Sequence, residues 1–148
     1  MTKTTRWSVA ALVVLGSLFT SAQAASAAPA WPADTQYRST ELRGTNGGGP
    51  AAGTTVELTF REGNVIGFTA GCNSYGAHGV IRHGRLVLTD DLVGTLLGCP
   101  EDLQRTEEWF AQLVVSGPEF KLRSGGRLEL RDDHERAKFT SLTPDRKV

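Results

Sequence analysis

The sequence predicts an α+β domain, mainly antiparallel β, in which about eight short strands curl around a single helix and one disulfide ties the two together. Three observations predict it. Apolar residues alternate along short runs, and the turns between those runs are too brief for a parallel crossover. A single segment, near residues 100–117, carries an apolar stripe at helical spacing. The chain has two cysteines, Cys72 and Cys99, behind an N-terminus that reads as an export signal. An even pair in an oxidising compartment is first read as a crosslink.

The export signal has three parts. Lys3 and Arg6 supply a short positive region, "WSVAALVVLGSLFTSA" an uncharged apolar run, and "AQA" and "ASA" small-residue sites for cleavage after Ala24 or Ala27. The run is shorter than the roughly 20 residues that a spanning helix needs. No cysteine stands there to take a lipid, and no second apolar segment follows. The expectation is a secreted protein with residues 1–27 as signal peptide, 28–34 as a short linker, 35–143 as one domain and 144–148 as a frayed tail. Lys3 and Arg6 leave with the signal, so 14 basic residues face 16 acidic ones, a net of −2. That balance is too weakly charged to hold a nucleic-acid backbone or an anionic membrane.

The elements follow in order. "YRSTELR" (37–43) reads as a first strand. "GTNGGGPAAGTT" (44–55) reads as a flexible, solvated loop; its glycines do not make a phosphate cradle, because a strand and not a helix follows them. In "VELTF", Val56, Leu58 and Phe60 share a face; "REGN" turns the chain; and in "VIGFTA", Ile66, Phe68 and Ala70 share a face, giving a half-buried hairpin. "NSYGAHG" reads as a polar, glycine-rich stretch, and Val80 and Ile81 pair with "LVLT" (86–89) across the tight turn at His83-Gly84. In "PEDLQRTEEWFAQLVVSG", Pro100 suits the first turn, Glu101 and Asp102 favour the positive end of the helix dipole, and Gly117 and Pro118 stop the helix. Leu103, Thr106, Phe110, Leu113 and Val114 share its apolar face. "EFKL", "RLELR" and "KFTSL" close the chain as short strands. The helix stripe must be buried, and the inner face of the sheet is the apolar partner available to it.

Cys72 and Cys99 admit three chemistries. A crosslink would close 27 residues and contribute about 3.5 kcal/mol on the chain-entropy model. A nucleophile needs a base, which His78, His83 or His134 could supply after folding, although a free exported thiol is open to oxidation. Zinc is disfavoured, because neither CxxC nor HxxxH spacing occurs. No metal and no cofactor is expected.

Asn73 and Tyr75 are the candidate polar cleft positions. The plainer reading has Asn73 satisfying backbone groups at a strand end and Tyr75 packing its ring. Asp90-Asp91, Glu107-Glu108 and Asp132-Asp133 read as solvated surface charge. Trp109 lies off the main helical stripe and either covers the barrel rim or is partly exposed, with core or rim packing the safer expectation. Trp31 falls in the linker, either unpacked or as an N-terminal latch. Gly-x-Ser-x-Gly, His-Glu-x-x-His and dinucleotide fingerprints are absent from the sequence.

The segment "GFTAGCNSYGAHGVI" resembles the Gly-Cys-Asn-x-aromatic signature of the META domain, or HslJ-like, family, carried by Gly71, Cys72, Asn73 and Tyr75. "TLLGC", Thr95 to Cys99, resembles the family's Thr-x-Met-x-Cys segment, with Leu97 in place of methionine. The resemblance spans Thr35 to Leu142. It implies a half-open barrel wrapped around the helix, with Asn73, Tyr75 and Thr95 as signature positions. It implies links to stress, motility or secretion and no shared enzymatic activity. Many members are lipid-anchored, and this chain lacks the anchor cysteine. The expectation is therefore an exported monomer that is not an enzyme and binds or protects something in the cell envelope or medium. Its partner would be a protein or a small apolar ligand in the barrel mouth. The alternatives are a secreted proteinase inhibitor presenting a rigid loop, with "GTNGGGPAAG" as that loop, and a hydrolase built on His78 or His134.

Overall fold

A computed structural model describes residues 30–143 apart from 46 and 47. The stretches read as a signal peptide and a frayed C-terminal tail lie outside the described residues. In chain order the elements are β1 (Thr35–Gly44), β2 (Glu57–Arg61), β3 (Val65–Thr69), β4 (Ser74–Arg82), β5 (Arg85–Leu88), β6 (Val93–Gly94), α1 (Glu101–Val115), β7 (Glu119–Arg123), β8 (Arg127–Arg131) and β9 (Glu135–Ser141).

The strands pair antiparallel in the order β3-β2-β1-β9-β8-β7-β5-β4, and a further β3–β4 pairing closes the ring, with β6 added beside β4. The barrel therefore has eight strands. The opening expected of a half-open barrel is reduced to the β5–β7 seam. There a single pair, Arg85 with Glu119, is in register, supported by Leu86 N–H to Pro118 O at 3.0 Å and Phe120 N–H to Gly84 O at 2.8 Å. Between these two strands the chain runs through β6, beside β4, and then α1.

Alternation sets which face is inward. Val56, Leu58, Phe60, Ile66, Phe68 and Ala70 are all buried, as their period of two requires. Phe60 on β2 meets Phe120 on β7 with ring centroids 5.7 Å apart, and those strands stand on opposite sides of the ring. Side chains thus meet across the barrel axis. At the other end Phe110 of α1 touches Phe68 on β3 and Phe139 on β9 at 4.8 and 5.9 Å. The helix stoppers that mouth with its buried face: Thr106, Glu107, Trp109, Phe110, Leu113 and Val114.

The hairpin turn between β4 and β5 carries its expected chemistry. His83 and Gly84 both have positive φ, 51° and 72°, the signature of the two-residue turn that matches strand twist. Trp31, in the stretch read as a linker, acts as a latch: its ring meets Phe60 at 4.9 Å and its Nε1–H donates to Arg61 O at 2.9 Å.

"SYGAHG", read from the sequence only as a polar, glycine-rich stretch, is strand. β4 pairs with β3 through Ser74–His78 and with β5 through Gly79–Arg82. One of its glycines answers crowding: a Cβ on Gly79 would stand 3.1 Å from Val87 O. Trp109 packs in the core, the safer of its two readings, and its Nε1–H donates to Glu135 Oε2. The glycine-rich loop is anchored where it is described, with Thr45 Oγ1–H on His134 O at 2.9 Å and Ala51 N–H on Thr106 Oγ1 at 2.9 Å.

Candidate functional site: the cystine turn and the segment it holds

The structure joins Cys72 to Cys99. The bond ties the turn after β3 to the entrance of α1. Gly71, at φ 112°, sets that turn beside Leu103 of the helix, a conformation that suits glycine.

Asn73 is the hub, and it is buried. Its Oδ1 accepts from Thr95 Oγ1–H at 2.9 Å and Leu97 N–H at 2.8 Å. Its Nδ2 donates to Glu107 Oε2 at 3.0 Å and lies 3.0 Å from Cys99 Sγ. Thr95 Oγ1 also accepts Ser74 N–H at 3.1 Å. Asn73 and Thr95 thus fix the backbone of 95–97, a structural job of the kind that asparagine side chains do at turns.

Glu107 was read as surface charge, and the structure overturns that: it is 1% exposed. Its Oε1 accepts Cys72 N–H at 3.1 Å and Asn73 N–H, and its Oε2 accepts Asn73 Nδ2–H. The Tyr75 hydroxyl lies 3.5 Å from Oε2. These donors replace the water that a buried carboxylate loses. Its helical spacing placed Glu107 on the stripe, four residues after Leu103 and three before Phe110.

Tyr75 lies flat on Phe68, centroids 4.9 Å apart and planes within 14°. Its other face covers Gly94 of β6. Burial, then the nearby Glu107 carboxylate, raises its hydroxyl pKa above the ordinary 10.0. The donor atoms of Cys72, Cys99 and Glu107 all lie within 4.8 Å of one another, although both sulfurs are engaged by the disulfide.

This scaffold presents an exposed segment. Val93 is 70%, Leu96 98% and Leu97 62% exposed. Beside it a depression of about 510 Å³ is lined in part by Val87, Leu88, Leu92 and Val115. The segment carried no periodic signal that the sequence could offer beyond two adjacent leucines before a cysteine.

The three histidines do not converge on the cystine turn. His78 makes a dyad with Asp90, Nδ1 to Oδ2 at 2.6 Å, but its ring meets no hydroxyl or thiol among the described residues. His83 and His134 are exposed in turns. Asp132 caps its own turn, Oδ1 accepting from His134 N–H and Glu135 N–H. No helix among the described residues is long and apolar enough to cross a membrane.

A model of the META domain family matches residues 32–143. An NMR structure of a protein from Burkholderia xenovorans superposes with a TM-score of 0.59 at 19% identity, over 75% of this chain and 83% of that one. A second NMR structure gives 0.51 at 19% identity, over 70% and 87%. These likenesses show the fold. No curated protein matches the chain.

Proposed function

The chain belongs to the META domain family, and from that premise we propose that it is an exported, non-enzymatic binding module whose contact surface is the segment around Val93–Leu97. One observation carries the reading. Three large apolar side chains stand out in water on a backbone that Asn73, Thr95 and the disulfide hold still. Exposed apolar clusters mark contact sites, and a segment already fixed loses less entropy when it binds.

The partner chemistry follows. Among the described residues β6 pairs with β4 alone, so its other edge is open to an added strand. Asp90 and Asp91 precede the segment and Glu101 and Asp102 follow it, which favours a protein partner with basic groups around an apolar pocket. A small apolar ligand in the barrel is less favoured, because the rings there already touch across the axis. The setting is the envelope or the medium, where a protective role under stress fits such a module.

A proteinase inhibitor is the second reading. The feature that favours it is the same rigid exposure, with Leu96–Leu97 rather than the glycine-rich loop as the presented segment.

The test is a photo-crosslinking residue at position 96 in the native host, with one at Glu62 as control. The proposal expects a discrete protein adduct at 96 that Leu97→Asp and Val93→Asp abolish while the fold is unchanged. Equal labelling at 62, or none at 96, would overturn it. An adduct with a protease that the pure protein inhibits would select the second reading.

A further inference from the structure

The geometry points to a second chemical state of the cystine turn: with Cys72 and Cys99 reduced, they and Glu107 form a site for one thiophilic divalent ion of the zinc class. The sequence offered two isolated thiols and no ligand spacing. The third donor comes from the helix, and the fold supplies it.

The distances support the assignment. Tetrahedral zinc binds sulfur at about 2.3 Å and carboxylate oxygen at about 2.0 Å, so its ligand atoms stand about 3.5–3.8 Å from one another. Glu107 Oε2 already lies 4.0 Å from Cys99 Sγ, and the three donor atoms fall within 4.8 Å. Shifts of about an ångström would complete three corners. The fourth would be water or the Tyr75 hydroxyl, 3.5 Å from Oε2.

The surroundings supply a supporting shell. Glu107 Oε1 is held by two backbone N–H groups, which orients the carboxylate and leaves Oε2 facing the sulfurs. Metal ligands are commonly fixed in this way by hydrogen bonds to their other atoms. Among the described residues Glu107 is buried without a Lys, Arg or His partner, so a cation there would meet an uncompensated charge. Cys72 and Cys99 are only half-buried, which gives an ion a path in.

The chemistry balances. A dithiol reductant gives two electrons to the Cys72–Cys99 bond and becomes a disulfide itself, and the two cysteine sulfurs take up its two protons. Metal entry then displaces both protons as the thiolates bind. Disulfide and metal are mutually exclusive states of one site.

The test uses the full exported chain and Co²⁺ as the probe. After anaerobic reduction, titration should give one equivalent bound with a thiolate-to-cobalt charge-transfer band and tetrahedral d–d bands; the oxidised protein should show neither. Glu107→Gln in the reduced state should bind about tenfold or more weakly. X-ray absorption on the zinc-loaded, reduced wild type should give two sulfur and at least one oxygen ligand, and this readout does not depend on the variant folding. Equal binding by the oxidised protein, unchanged affinity in Glu107→Gln, or a shell with no oxygen would each overturn the site.

Discussion

Glu107 and Asn73 face each other across the junction of helix and barrel, the carboxylate accepting both the backbone N–H of Asn73 and its side-chain Nδ2–H, the latter at 3.0 Å. The contact spans 34 residues of chain. It gives the chain turn after β3 a partner that neither strand pairing nor water supplies. It also places Asn73 so that its Oδ1 can hold 95–97.

Replacing Glu107 should therefore destabilise in a defined order. Alanine orphans the N–H groups of Cys72 and Asn73, and each buried donor left unmade costs about 1–3 kcal/mol. Glutamine keeps one acceptor for those N–H groups but turns an NH₂ toward Asn73 Nδ2, so it should cost less than alanine and more than nothing. Urea midpoints of the oxidised proteins, at equal m-values, should rank wild type, then Gln, then Ala.

The disulfide should act on both stability and presentation. Breaking it with Cys72→Ser and Cys99→Ser frees a 27-residue separation, worth about 3.5 kcal/mol on the chain-entropy model. The local consequence is more specific. Leu97 N–H, held by Asn73 Oδ1 at 2.8 Å, should exchange with solvent faster relative to the core amides of β8. Uniform acceleration across all strands would instead mean that the bond serves global stability alone.

How much of this the sequence disclosed depends on range. Val56, Leu58, Phe60, Ile66, Phe68 and Ala70 declared their face because period-two alternation is local. The first part of β4 hid, because Gly76 and Gly79 signal turns in an isolated chain, whereas Gly79 is glycine for want of room beside Val87 O; its end at Val80-Ile81 was legible from the hairpin with β5. β6 is two residues long, below any pattern. Glu107 sat on the helical stripe, and its charge argued against burial; the donors that make burial tolerable come from Cys72 and Asn73, far back in the chain. Closure of the ring depends on pairings such as Arg85 with Glu119, which no local signal encodes.

The acid limb of stability should report the ion pairs that Glu119 makes on β7 and β8. Hydrogen bonds from Arg131 first and Lys121 second hold the Glu119 pKa down from 4.5 to about 2. A carboxyl lowered on folding adds stability that is present above its unfolded value. That contribution fades as pH falls from about 4.5 toward 2. Glu119→Gln should flatten the stability–pH curve in that window and leave its slope near neutrality unchanged. Because the pair is solvent-exposed, added salt should shrink the difference.

Gly94 lies within the presented segment and Gly98 just past its end, and the two separate crowding from mere flexibility. A Cβ on Gly94 would fall 2.5 Å from the Tyr75 ring, whereas one on Gly98 would meet nothing within 4 Å. Tyr75 cannot retreat, because its other face is stacked on Phe68. Gly94→Ala must therefore either lift the ring off Phe68 or push β6 from β4, and overpacking of this kind costs about 1–3 kcal/mol. Gly98→Ala, with ordinary backbone angles, should be neutral or slightly stabilising through the unfolded chain. The near-ultraviolet circular dichroism of Tyr75 should change in the first variant and not in the second. Tyr75→Phe in the Gly94→Ala background should fail to restore stability, since the clash lies with the ring and not with the hydroxyl; recovery there would place the strain at Glu107 instead.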